Sequence, residues 1–262
     1  KLGTSYEKVE RFARLAAFIG NETGFCEPLN GTEKVEDFLK DQYNPMRFDK
    51  GVTSEPYYNK LVLIRSALLA KADLTSGMVG EFPKLQGVMG KEYALRSGEA
   101  IDVATAIYEH YLPIQAGGDL PSTDAGTIIS MADKLDTICG CFGVGLIPTG
   151  AADPYGLRRQ ALGIIFIIMD KSDKKRRFNL EDFVKTSIGE YERSNKFQRS
   201  GLEVENDVKE FFKERLRNQL LLQNISHDSI EAVLSTNWFD VWDAAERVSA
   251  LEKFKKHTAC KS

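Results

Sequence analysis

An all-α fold is predicted by three features of this sequence. Apolar residues return at three- and four-residue spacing in one segment after another, helix-start signals precede several of those segments, and no strand ladder or internal repeat appears. The 262 residues suffice for one large or two modest domains. A composition 42% hydrophobic and 28% charged is that of an ordered globular chain. No apolar run nears the roughly 18 residues a membrane span needs, and the start lacks the apolar core of a signal peptide. A cytoplasmic protein with no membrane partner is therefore expected. The net charge of -3 removes any argument for nucleic-acid binding from total charge, so such a role must rest on local basic patches. Cys26, Cys139, Cys141 and Cys260 form no CxxC pair, and the middle two read as buried thiols in an apolar stretch. The chain opens on Lys1 without methionine and is read as a piece of something longer.

The first helix is expected over Thr4–Gly20. Thr4 and Glu7 have capping-box spacing, and Val9, Phe12, Ala13 and Ala16 line one face. Residues 27–57, broken by Pro28, Gly31, Pro45, Gly51 and Pro56, read as an irregular excursion with one short helix near Glu33–Lys40. Helix returns over Tyr57–Leu74 and again over Ser97–Tyr111, which Pro113 terminates. Thr127–Cys139 is another helix, with Ile128, Ala132, Leu135 and Cys139 inward; the glycine-rich 140–150 stretch must turn. Asp153-Pro154 then reads as an acidic N-cap with proline at the first helical position, opening an apolar helix through Ile168. Residues 171–177 form a basic connector and the expected domain boundary. Beyond it, Asn179 caps one helix, Ser200 and Glu203 form a second capping box, Ser226 caps a short helix to Leu234, and a last helix runs from about Phe239 to Lys256.

Three stretches could carry chemistry. Lys71–Gly90 holds Gly77, Gly80, Gly87, Gly90 and Pro83; glycines so placed let backbone approach backbone or a ligand, or simply make a tight connection. It has neither a Walker lysine pattern nor a G-x-G-x-x-G after a strand. Asp133 and Asp136, three apart, share a helix face, where paired carboxylates can hold a metal, move protons or make salt bridges. Salt bridges to Arg158 or Arg159 are favoured. The third stretch is Gly143–Gly150 with Asp153–Arg159. The His227-Asp228 doublet sits at a helix start, where an aspartate serves the macrodipole.

Together these stretches closely resemble the bacterial glycyl-tRNA synthetase β subunit. The elements are Lys71-Ala72-Asp73-Leu74 with its MV, EF, LQG and MG groupings, Ala106–Pro113, Ala132–Thr137, and Pro148-Thr149-Gly150 followed by Asp153-Pro154 and Leu157-Arg158-Arg159. The resemblance spans roughly 1–25 and 58–169, and 27–57 looks like an insertion relative to it. It implies an HD-phosphohydrolase-like helical domain over 1–170 and, beyond the 171–177 connector, a smaller anticodon-binding-like bundle over 178–262, expected to be incomplete. Phe211–Leu216 and Asp243–Arg247 carry the weaker likeness of that second part.

Carried onto the HD pattern, Asp73 matches the doublet aspartate, Asp133 the distal aspartate, and Ala72 replaces the doublet histidine. No histidine precedes His110. Two carboxylates without imidazoles make a weak site for a transition metal, and hydrolysis needs such a metal to acidify water. No metal and no catalytic residue is therefore expected.

The resemblance further implies a tRNA-binding and subunit-assembling role in a two-subunit glycine–tRNA ligase. The α subunit would use ATP with magnesium, and this chain would bind no cofactor of its own. Its partners would be the α subunit and tRNA(Gly). Candidate phosphate contacts are Lys171, Lys174, Lys175, Arg176 and Arg177, which could equally be a solvated linker, and Arg158 and Arg159, which could equally pair internally with Asp133 or Asp136. The alternatives are a metal-dependent HD phosphohydrolase and a purely structural scaffold for the α subunit.

Overall fold

A computed structural model describes residues 2–173 and 175–255. Their regular structure is helical apart from two isolated bridges. The helices are α1 (Ser5–Glu22), α2 (Glu55–Leu69), α3 (Gly77–Glu81), α4 (Val88–Arg96), α5 (Ile101–Glu109), α6 (Asp124–Gly143), α7 (Leu157–Lys171), α8 (Leu180–Arg193), α9 (Gly201–Leu222), α10 (His227–Leu234) and α11 (Val241–Lys255). None of them is long and apolar enough to cross a membrane.

The bundle is organised around α6. Every α6 residue except Asp124 and Thr137 is buried, because α1, α2, α5, α7, α8 and α9 all pack on it. Such a helix cannot be amphipathic, which is why the apolar face at Ile128, Ala132, Leu135 and Cys139 understates its burial. Two of its glycines are required by close approach. A Cβ on Gly140 would stand 2.2 Å from the Tyr191 hydroxyl of α8, and one on Gly143 would stand 2.2 Å from the Phe197 ring. Each glycine costs the helix about 1 kcal/mol relative to alanine, and the packing offsets it. One apolar core continues across residues 171–177, with Phe142 of α6 edge-on to Phe211 of α9 at 5.0 Å.

Several helix ends differ from the expected ones, and at α7 local bonds account for the shift. The Thr4–Glu7 and Ser200–Glu203 capping boxes both form, and Asn179 caps α8. Asp153 does cap α7, but at a distance. Its two carboxylate oxygens accept from the backbone N–H groups of Leu157 and Arg158, so the helix starts at Leu157 behind a left-handed Gly156 rather than at Pro154. Ser226 stands at the N-cap of α10 without capping it: its hydroxyl is engaged with Glu252 and Ser229. The Tyr57–Leu74 segment stops at Leu69 and continues as a separate 3-10 turn at Ala72–Thr75. The glycine-rich 71–90 stretch contains α3 and the start of α4, both too short to show a period. Helix α6 runs on to Gly143, so the expected turn starts only after it.

The 27–57 excursion is a strap of 3-10 turns across α2. Val35 and Phe38 are buried in the core. The buried Lys60 ammonium of α2 pairs with Glu27 at 2.9 Å and Glu33 at 3.0 Å. Arg65 donates to the carbonyls of Phe38 and Lys40 while its remaining nitrogens grip Glu99 at 2.5 and 2.7 Å. Buried cations of α2 are thus satisfied by the strap, which gives it a structural role.

Candidate functional site

The charge that matters here is assembled by helix crossing. On α1, Lys8 and Arg11 are three apart; on α6, Asp133 and Asp136 are three apart. Packing α1 along α6 brings the two pairs together. Arg11 donates to Asp136 through Nε at 2.9 Å and Nη2 at 3.3 Å, and Nη2 also reaches the Tyr191 hydroxyl at 3.0 Å. Tyr191 donates to Asp136 in turn, lying 2.9 Å from its carbonyl and 3.0 Å from Oδ2. Lys8 Nζ lies 2.8 Å from Asp133 Oδ1, at an angle that makes an ion pair but no hydrogen bond. It donates to Thr137 Oγ1 at 2.6 Å and reaches Asp136 Oδ2 at 3.4 Å.

Asp133 is held from its other side by Lys71, the residue just before the 3-10 turn that carries Asp73. Lys71 Nζ donates to Asp133 Oδ2 at 2.7 Å and to His110 Nε2 at 2.8 Å, and lies 4.2 Å from the centre of the Tyr111 ring. His110 Nδ1 donates to the Ile107 carbonyl at 2.5 Å. Burial, with the Lys71 charge adding to it, pushes His110 well below its ordinary value, which keeps the ring neutral and its Nε2 an acceptor. Burial would push the Asp133 carboxyl up, but Lys71 and Lys8 outweigh it and hold the group well below the usual carboxylate range. Burial pushes Lys71 down, opposed by Asp133. Lys134, one residue on, has no carboxylate partner among the described residues; it donates to the carbonyls of His110 and Leu112 and to Ser130 Oγ, and burial brings it down to about 7.

Asp73 is buried, and its Oδ2 accepts from the Gly87 backbone N–H at 2.7 Å while Oδ1 has no partner. This explains part of the glycine-rich stretch. Gly87 has φ +78°, and a Cβ there would meet the Tyr111 ring at 2.7 Å. A Cβ on Gly90 would meet Ile107 at 2.8 Å and Asp73 Oδ2 at 3.2 Å. Gly77 and Gly80 meet nothing within 4 Å. Glu109, beside His110, accepts from the N–H and hydroxyl groups of Ser122 and Thr123, so the loop leading into α6 is tied to α5.

A metal does not fit these residues. The Lys71 ammonium stands between His110 and Asp133, where a metal would have to stand, and both Asp133 oxygens already face ammonium groups. Ala72, matched to the doublet histidine, is exposed. Among the described residues, no three His, Cys, Asp or Glu side chains are grouped to hold an ion.

Arg158 and Arg159 do not pair with Asp133 or Asp136, because Lys8, Arg11 and Lys71 have taken those carboxylates. Arg159 is exposed at the mouth of a cavity beside them. Among the described residues, most of the connector's charge is already engaged. Arg176 grips Asp124 at 2.6 and 3.1 Å; Arg177 pairs with Asp240 at 2.6 Å and lies 4.6 Å from the Trp242 ring centre; Lys171 pairs with Asp170 at 3.1 Å. Lys175 is exposed. Lys174 lies outside the described residues, as do Lys256 and Cys260. The other three cysteines are free and buried, and burial raises Cys139 to about 12 and Cys141 to about 11.

Sequence reasoning missed Lys8, Arg11, Lys71, Lys134 and Tyr191. One signal was present: Arg11 falls on the same side of α1 as the core residues Leu15 and Phe12, and a cation on an apolar face calls for a buried partner.

The family model described as glycyl-tRNA synthetase beta subunit matches residues 1–235. The chain belongs to that family. It is 48% identical over 257 residues to the glycine–tRNA ligase beta subunit of Geobacter metallireducens, 47% identical over 258 residues to that of Syntrophus aciditrophicus, and 49% identical over 255 residues to that of Geobacter sulfurreducens. These alignments cover 97–98% of this chain and 32% of each relative. The chain therefore spans about a third of the length of those beta subunits. The Lys71–Asp133–His110 cluster ties the segment after α2 and the end of α5 to α6, and Lys8 adds α1.

Proposed function

We propose that this chain is a non-catalytic, tRNA-binding and subunit-assembling portion of a two-subunit glycine–tRNA ligase. The match of residues 1–235 to the beta-subunit family carries the reading. A beta subunit implies an α subunit and a tRNA substrate. ATP and magnesium would be used through the α subunit, in the cytoplasm. The non-catalytic part of the reading is supported by Asp133, whose two oxygens are engaged by Lys8 and Lys71. A phosphohydrolase would need at least one of them on a metal. The best placed tRNA contacts are the exposed Arg159 and Lys175 and the half-buried Arg158.

The test is filter binding of tRNA(Gly) to the chain at 50 and 200 mM salt, with and without the α subunit. Each phosphate contact contributes about -0.9 to the slope of log K against log salt, so a few contacts give a steep fall. Binding that is flat in salt, or absent with and without the α subunit, would exclude direct tRNA contact. Failure of the α subunit to co-purify with the chain would exclude the assembly role.

A further inference from the structure

Between the start of α1, the Lys71–Gly87 segment, the end of α5, α6 and the start of α7 lies a cavity of about 720 Å³. That is within the size range of small-ligand sites, roughly 300–1,000 Å³. Its charged lining is lopsided: Lys8, Lys71, Lys84 and Arg159 face a single carboxylate, Asp133. Asp136 just behind it is matched by Arg11. Lys84 and Arg159 are exposed at the rim and have no carboxylate partner among the described residues. At the floor, Lys71 spends two of its three N–H groups, on His110 and Asp133, and retains a third. The Tyr111 ring centre lies 4.2 Å from the Lys71 Nζ, and its hydroxyl is buried without a hydrogen-bond partner among the described residues. Pro83, Pro113, Ile114 and the Tyr111 ring add apolar wall.

We infer that this cavity binds a phosphate group carried on a nucleotide-sized ligand, with the phosphate against Lys71 and Tyr111, the rim cations Lys84 and Arg159 completing its charge, and the base or sugar against the apolar wall. An anion suits the site for the reason a metal does not. The Lys71 ammonium supplies a fixed positive charge where an ion would otherwise be needed, and a phosphate oxygen takes its remaining N–H in a charge-assisted bond. The ligand is bound and not hydrolysed, since nothing here activates water. The inference shares Arg159 with the proposed tRNA contacts, and titration with AMP alone, which needs no tRNA, distinguishes its failure from theirs. A free mononucleotide and an RNA strand both carry such a phosphate, and the experiment separates the two.

The experiment is calorimetric titration of the 262-residue chain with AMP, with adenosine, and with an RNA hexamer lacking terminal phosphates. AMP is expected to bind about tenfold or more tightly than adenosine, the worth of one charge-assisted hydrogen bond. The double variant Lys84→Gln/Arg159→Gln replaces two exposed side chains and leaves no buried partner behind; it should weaken AMP by a similar factor with unchanged thermal stability. Lys71→Met should abolish AMP binding, with circular dichroism reporting that the helices persist. Competition of the hexamer with AMP assigns the phosphate to RNA; AMP binding without competition assigns it to a free nucleotide. Equal affinity for AMP and adenosine, no binding of AMP, or AMP binding untouched by the double variant overturns the inference.

Discussion

Two groups of cations in this molecule contrast in almost every respect. Residues 171–177 are conspicuous in the sequence as a run of lysine and arginine, yet in the fold Arg176 and Arg177 are tied to Asp124 and Asp240. Lys8, Arg11, Lys71, Lys134 and Arg159 are scattered over 150 positions and invisible as a group, yet the helices bring them to the Asp133–Asp136 face of α6 and the cavity beside it. Contiguity along a chain measures local charge density in the unfolded state. Only helix packing decides which charges share a site and which are neutralised.

The contrast can be broken first at Asp136. Asp136→Ala strands the buried Arg11 guanidinium while Tyr191 keeps the backbone carbonyl of that position, and removing one partner of a buried ion pair costs about 3–5 kcal/mol. Urea denaturation should show that loss, or no folded protein at all. Acid should act on the same region. Asp133 has a folded-state value well below its ordinary 3.8, so its contribution is complete above the unfolded value and is lost as pH falls below about 4. Denaturation between pH 6 and pH 2 should follow that course, and Lys71→Met should flatten it. Asp153→Ala removes the two bonds that start α7 and should cost about 1 kcal/mol by thermal melting, within the usual range for a lost N-terminal cap. At the connector the effects should be smallest. Arg176→Ala breaks a partly exposed pair and should cost about 0.2–1 kcal/mol, and Lys175→Ala should fall within about 0.5 kcal/mol of zero.

The helical class and most capping signals were legible because they depend on neighbours within one turn. Thr4 with Glu7 and Ser200 with Glu203 need no tertiary information. Helices α3 and α4 were not legible, since five and nine residues give too little period to read. Of the site, Asp133 and Asp136 could be singled out, and their preference for salt bridges was right in kind. The partners differ because Lys8, Arg11 and Lys71, 62 to 128 residues distant, take the carboxylates that Arg158 and Arg159 would need. Asp73 was identified by resemblance, but its work of holding the Gly87 loop depends on a backbone approach that no spacing rule reveals.

Gly140 gives the molecule one more property. Because no side chain intervenes there, the Tyr191 phenol is seated against the α6 backbone and bonded to both Arg11 and Asp136. Helix α8 is thereby latched to α1 and α6. A macromolecule that pulled on α8 could not slide it without first unlatching that tyrosine, so a load applied to the C-terminal helices is transmitted directly to the N-terminal one.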